Sequence, residues 1–124
     1  MIADLYVDAT PRSTAYVIKT DKTTLYNARK LPTKLTVNEA EYQALSDGIY
    51  ALRDQCIDEV HIYSDSELMV KQILGRYKVR KNLLPFWREV MHLLAEVRWS
   101  LDWIPGKENP ADVHSRAILW DDTK

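Results

Sequence analysis

At 124 residues and a net charge of −1, the chain is the size of one domain and has no bulk charge with which to hold nucleic acid or an acidic surface. With 46% hydrophobic residues, 28% charged residues and three glycines, its composition excludes a disordered or fibrous protein. The single cysteine, Cys56, excludes an internal disulfide and suits a reducing, cytoplasmic compartment, and neither a leader-like opening nor an apolar run near ~20 residues argues for secretion or a membrane span.

Residues 1–124 read as a single α/β domain. Residues 2–7 form a first strand that runs into an acid, Asp8. A short turn through Pro11 leads to a second strand at 14–19. Asp21-Lys22 then turns the chain into a third, rich in Thr and Tyr, at 23–29. Connections this short predict an antiparallel meander. After a polar loop at 30–34, a helix is expected over 38–53, with Ala44, Leu45, Gly48, Ala51 and Leu52 as its apolar stripe. Glu41 lies four residues before Leu45 and seven before Gly48, so it shares that stripe, while Glu39, Gln43 and Asp47 turn to water. A carboxylate on an apolar stripe is costly unless a basic side chain or a metal pairs with it. Cys56, near the end of this helix, reads as a small buried side chain rather than a catalytic thiol.

The stretch 59–67 organises the rest. Residues 59–64 are β-branched and aromatic enough for a buried strand, which ends in Asp65. Ser66 is placed to cap a helix over 67–74, and Gly75 to stop it. An acid at the carboxyl end of a strand sits where open α/β sheets place ligands, although Asp65 could equally serve the helix cap. The helical crossover predicts parallel pairing with the first strand, which puts Asp8 and Asp65 at the same end of neighbouring strands. Arg76, Lys78, Arg80 and Lys81 form a local basic run around Tyr77, either a solvated loop or a phosphate contact. A second long helix falls within 82–97, with Pro85 in its first turn and its aromatics in the core. A fifth strand is expected over 98–104 and a turn at Pro105-Gly106-Lys107. The last helix, over about 110–120, is opened by Glu108 or Asn109. Asp112 falls in its first turn, where the helix dipole favours negative charge. The tail 121–124 is expected to fray.

Asp8, Asp65, Glu41 and Asp112 thus share one address. Four uncompensated carboxylates in a small cleft repel one another, and hard divalent cations remove that repulsion. All-oxygen ligands suit Mg²⁺ or Mn²⁺, and no Cys/His cluster suits zinc.

In four places the sequence resembles the type 1 ribonuclease H domains. Tyr6-Val7-Asp8-Ala9-Thr10 is similar to the family's first-strand motif, and Asn38-Glu39-Ala40-Glu41-Tyr42-Gln43-Ala44-Leu45 to its helix motif. The run from Ser64-Asp65-Ser66-Glu67 to Ile73 is similar to its central motif, and that from Gly106-Lys107 through Asp112 to Arg116 to its last-helix motif. The resemblance covers nearly the whole chain. It implies a five-stranded mixed sheet in order 3-2-1-4-5, strand 2 antiparallel, with helices on both faces. It implies that Asp8, Glu41, Asp65 and Asp112 are catalytic and hold two Mg²⁺ ions, with Mn²⁺ as a substitute. It implies hydrolysis of the RNA strand of RNA–DNA hybrids, leaving 3′-hydroxyl and 5′-phosphate ends. Thr10, Asn38, Lys78, Arg80 and Lys81 are the expected substrate contacts, and no protein partner is indicated.

Three departures keep alternatives open. The turn after Asp8 is shorter than the family's glycine-rich one, residues 105–109 contain no histidine, and the basic protrusion of some members is absent. His114 follows Asp112 by two positions, about 200° round a helix, and so is a poor substitute for that histidine. The alternatives are a nuclease of the same fold acting on branched DNA or double-stranded RNA, and a non-catalytic hybrid-binding module.

Overall fold

The computed structural model describes residues 1–123. Strands β1 (Ile2–Thr10), β2 (Ser13–Lys19) and β3 (Thr24–Lys30) make the expected antiparallel meander. Helix α1 (Val37–Leu52), β4 (Glu59–Ser64), α2 (Glu67–Ile73), α3 (Leu84–Leu94), β5 (Arg98–Trp103) and α4 (Asp112–Ala117) follow. The sheet order is β3-β2-β1-β4-β5, with β4 parallel to both β1 and β5.

Strand alternation assigns the two faces. Leu5 and Val7 of β1 and Val60 and Ile62 of β4 are buried with Tyr42, Leu45 and Ile49 of α1 and Val90 and Leu94 of α3. Gly48 lets α1 lie close on β1: a Cβ there would meet Leu5 Cδ1 at 2.8 Å. Phe86 and Trp87 pack against the same core. Helix α4 lies on the opposite face, where Ala111 joins Ala15 and Val17 in a small second cluster flanked by Tyr6 and Ala28.

The α1 N-terminus is a capping box: Thr36 Oγ1 accepts from Glu39 N–H at 3.1 Å, and Glu39 Oε1 accepts from Thr36 N–H at 2.9 Å. Ser66 caps α2, its Oγ accepting from Met69 N–H at 3.3 Å, and Gly75 takes the left-handed conformation with φ 80°. Among the described residues no helix is long and apolar enough to cross a membrane.

Several expectations need correction. Strand β1 does not stop before Asp8 but runs to Thr10, because the hairpin loop is only Pro11-Arg12 and Thr10 pairs with Ser13. Helix α3 lies within 82–97 with Pro85 in its first turn, as expected, and a 3-10 turn over Lys81–Leu83 precedes it. Helix α4 starts only at Asp112, since the Asn109 side chain holds the preceding residues in a turn. Residues 118–123 continue as a 3-10 helix, and Lys124 lies outside the described residues. Cys56 is exposed rather than buried: it takes a left-handed φ of 52° where the chain reverses towards β4, and Ile57 packs on the core. Asp47 does not face water. It accepts from Thr14 Oγ1 at 2.6 Å and from Arg29 at 2.8 and 3.2 Å, because α1 lies across β2 as well as β1.

Candidate active site

The last residues paired across the parallel β1–β4 edge are Val7 and Ser64, so Asp8 and Asp65 each stand one step beyond that pair. Val7 and Ser64 turn to the α1 side and are fully buried, whereas Asp8 and Asp65 alternate to the α4 side. Helix α4 brings Asp112 to them in its first turn. One carboxylate oxygen from each of Asp8, Asp65 and Asp112 lies within 4.8 Å of the other two. Glu41 stands outside that trio but within its field, on the buried side of α1 and 6% exposed. Three of the four expected acids therefore converge directly, and the fourth acts on them from the neighbouring helix.

The acids are short of partners. Glu41 Oε1 and Asp65 Oδ1 are buried with no hydrogen bond. Among the described residues the only salt bridge to any of the four is Arg116 Nη2 to Asp112 Oδ1, at 3.3 Å. Burial, then the charges of Asp8, Asp65 and Asp112, push the Glu41 carboxyl up to about 9. Burial pushes Asp8 up to about 7 against the Ser115 hydrogen bond, with Asp65 and Asp112 adding to the rise. Asp65 is also raised, chiefly by burial. Unpartnered acceptors and suppressed ionisation together describe a pocket that lacks positive charge. Its all-carboxylate donor set fits a hard divalent cation.

A pH dependence follows for the protein in chelator. A carboxyl raised on folding contributes stability that is fully present below its ordinary value and is lost as pH rises through the raised one. For Asp8 and Glu41 that window runs from about 4, near their ordinary values, up to about 9. The melting temperature in EDTA should fall as pH is raised across it, and saturating Mg²⁺ should flatten the decline. A melting temperature that climbs with pH in EDTA would mean that the acids are already compensated.

Residues outside the expected catalytic and substrate-binding set hold the acids in place. Ser115 Oγ donates to Asp8 Oδ2 at 2.7 Å. Asn109 Nδ2 donates to the Val7 carbonyl at 2.8 Å and its Oδ1 accepts from Ala111 N–H at 3.0 Å, pinning the start of α4 against β1. Trp103 Nε1 donates to the Asp65 carbonyl at 3.1 Å. Gly106 lies directly over Asp65, where a Cβ would meet Oδ2 at 2.9 Å, so a side chain at this position would displace the Asp65 carboxylate. The Asp112-x-x-Ser115 spacing, one helical turn, is the sequence signal that both residues face the same neighbour.

The expected substrate contacts are more dispersed. Asn38 is exposed in the first turn of α1. Thr10 is half-buried at the hairpin, bonded to Ser13. Lys78, Arg80 and Lys81 are exposed on the loop after α2. That loop is anchored by buried Gln72, which donates to the Lys78 carbonyl at 3.1 Å and accepts from Tyr42 Oη at 2.7 Å. Tyr77 Oη accepts from Lys71 Nζ at 3.2 Å, which ties the loop to α2. Seven residues of α2 separate Asp65 from this basic loop, a helical length of roughly 10 Å. His114 stacks on Tyr26, ring centroids 4.2 Å apart.

A family model described as reverse transcriptase-like matches residues 9–115. Among solved structures the chain is similar to ribonuclease H1 of the halophilic archaeon Halobacterium salinarum. The two share 23% identity and a TM-score of 0.91, with 98% of this chain and 99% of that one covered. It is similar to the N-terminal ribonuclease H domain of a Mycobacterium tuberculosis protein at 23% identity and TM-score 0.83, with 97% of each chain covered. It is also similar to LC11 ribonuclease H1, isolated from compost by a metagenomic approach. That match, to the structure of LC11 with an RNA/DNA hybrid, has 26% identity, TM-score 0.83 and 99% of each chain covered.

Proposed function

The chain belongs to the reverse transcriptase-like family and has the ribonuclease H fold, and from that premise we propose that it is a metal-dependent endonuclease hydrolysing the RNA strand of RNA–DNA hybrids. The observation that carries this reading is the cluster of Asp8, Asp65 and Asp112 with Glu41 beside it, raised and uncompensated. The LC11 relative solved on an RNA/DNA hybrid supports the choice of substrate.

Asp8 and Asp65 would anchor two Mg²⁺ ions, with Glu41 and Asp112 completing one site each. When bound, such ions lower the pKa of a water and offset the charge of the phosphodiester in an in-line displacement. The chain's own part is to hold four carboxylates at fixed positions. Asn109, Ser115, Trp103 and the bare Cα of Gly106 do so from the end of β5 and the loop and helix after it. Discrimination against DNA must use the 2′-hydroxyl, since both strands present similar phosphates. Exposed Asn38 at the start of α1 and Thr10 at the hairpin are the groups we assign to that contact. Exposed Cys56 with no disulfide partner suits a reducing, cytoplasmic setting.

The two-residue hairpin loop favours a second reading, a nuclease of the same fold with another substrate, because it leaves little backbone to follow an RNA strand. Cleavage of labelled hybrid, duplex RNA, duplex DNA and a four-way junction, with Mg²⁺ and with EDTA, separates the readings. Hybrid should be cut, with Mg²⁺ only. Cleavage of another substrate in preference would establish the second reading, and binding without cleavage would make the protein a hybrid-binding module.

Arg80 and Lys81 are expected to act through phosphates alone. Replacing both by Ala should weaken hybrid binding and lower the slope of log affinity against log salt by up to ~2 units. An unchanged slope would leave them as solvated side chains.

A further inference from the structure

We propose that Ser115 is a positioning residue that fixes the Asp8 carboxylate for metal capture, and that the β1–β2 hairpin holds Ser115 through a separate hydrogen-bonded chain. This rests on the reading of the acid cluster as a divalent-cation site.

Ser115 is fully buried, and its single hydroxyl proton is directed to Asp8 Oδ2 at 2.7 Å, with the Asp112 carbonyl a secondary acceptor at 2.9 Å. The bond to a carboxylate is the stronger of the two kinds. It engages Oδ2 and so restrains rotation of the carboxylate. Among the described residues no other side chain donates to Asp8. The acids beside it, Asp65 and Asp112, repel it when ionised, so the Ser115 hydroxyl supplies an attractive contact that they do not.

The backbone of Ser115 is held in turn. Ser13 Oγ donates to the Ser115 carbonyl at 2.5 Å, so its proton is committed. Ser13 Oγ must then accept from Thr10 Oγ1, 2.8 Å away, and Thr10 Oγ1 accepts from Arg12 N–H at 3.1 Å. Each hydroxyl donates once and accepts once, which sets the direction of the chain from the hairpin loop to α4. Ser13 is fully buried. Asp8 itself belongs to β1, so strand and helix grip the same carboxylate from both ends. Hydrogen bonds that orient a metal ligand commonly change metal affinity by about 10–100-fold when removed.

The test is calorimetric titration with Mn²⁺ alone, without nucleic acid, of the parent, Ser115→Ala, Ser115→Cys and Ser13→Ala. Ser115→Ala should lose about tenfold or more in Mn²⁺ affinity. Ser115→Cys, a weaker donor of similar size, should fall in between, and it carries the test if the alanine variant does not fold. Ser13→Ala removes a support of Ser115 but leaves its hydroxyl bond to Asp8, so it should lower the melting temperature and cost clearly less Mn²⁺ affinity than Ser115→Ala, which separates positioning from general loosening. Cleavage by Ser115→Ala should be restored at raised Mg²⁺. Parent-like Mn²⁺ affinity in Ser115→Ala, or an equal loss in Ser13→Ala, would overturn the proposal. If the titrations behave as expected but no hybrid is cut, the substrate assignment fails and the role of Ser115 stands. If the parent binds no Mn²⁺, both fall.

Discussion

Glu41→Gln is expected to leave the metal-free protein at least as stable as the parent, while Mg²⁺-dependent cleavage of hybrid falls by orders of magnitude. Glu41 shares the buried stripe of α1 with Leu45 and Gly48, and no cation pairs with it among the described residues. Its carboxyl, raised to about 9, stays protonated at neutral pH without metal, at a free-energy cost that an uncharged amide of the same shape does not incur. Glutamine should therefore gain stability, by about 1–3 kcal/mol at pH 7, and donate its N–H groups to the neighbouring acids. A buried ion-pair partner would behave in the opposite way, since its removal strands the other charge at about 3–5 kcal/mol. Urea unfolding in EDTA, alongside turnover in Mg²⁺, decides between them. A large stability loss with activity retained would make Glu41 structural.

Asp65→Asn should abolish cleavage, by at least about 10³-fold if the several kcal/mol of charge stabilisation from a bound ion is lost. The fold should survive. Asparagine keeps the shape, and the structural contacts of this residue, the Trp103 bond to its carbonyl and the approach of Gly106, do not require the charge. Neutralising one acid also relieves repulsion with Asp8 and Asp112, so the melting temperature in EDTA should rise. Saturating Mg²⁺ should then stabilise the variant less than the parent. Parent-like turnover by Asp65→Asn would remove it from the catalytic set.

Much of the fold was legible in the sequence for local reasons. Strand β4 occupies the expected Glu59–Ser64, Ser66 caps α2, and Gly75 ends it, because β-branched runs, capping hydroxyls and a left-handed glycine each act within a few residues. The sheet order follows from connection length: short links force antiparallel neighbours, and a helical crossover allows a parallel pair. That order and the strand period place Asp8 beside Asp65. The 3.6-residue period turns Glu41 inward. These are properties of spacing, and spacing is what a sequence records.

Tertiary packing decided what spacing cannot express. Asp47 reads as a water-facing residue by helical period, yet Thr14 and Arg29 reach it because α1 crosses a second strand. Cys56 reads as buried, yet the reversal between α1 and β4 turns it out. The supports of the acids depend on partners as far apart as Ser115 and Asp8, or Asn109 and Val7. Which hydroxyl meets which carboxylate is set only when α4 docks on β1 and β2. The sequence by itself determined which acids this protein brings to the carboxyl edge of its sheet, because strand and helix periods are local. The tertiary structure alone decided how those acids are held and how strongly they are driven towards protonation, because burial and hydrogen bonding across more than a hundred residues exist only once the layers have closed.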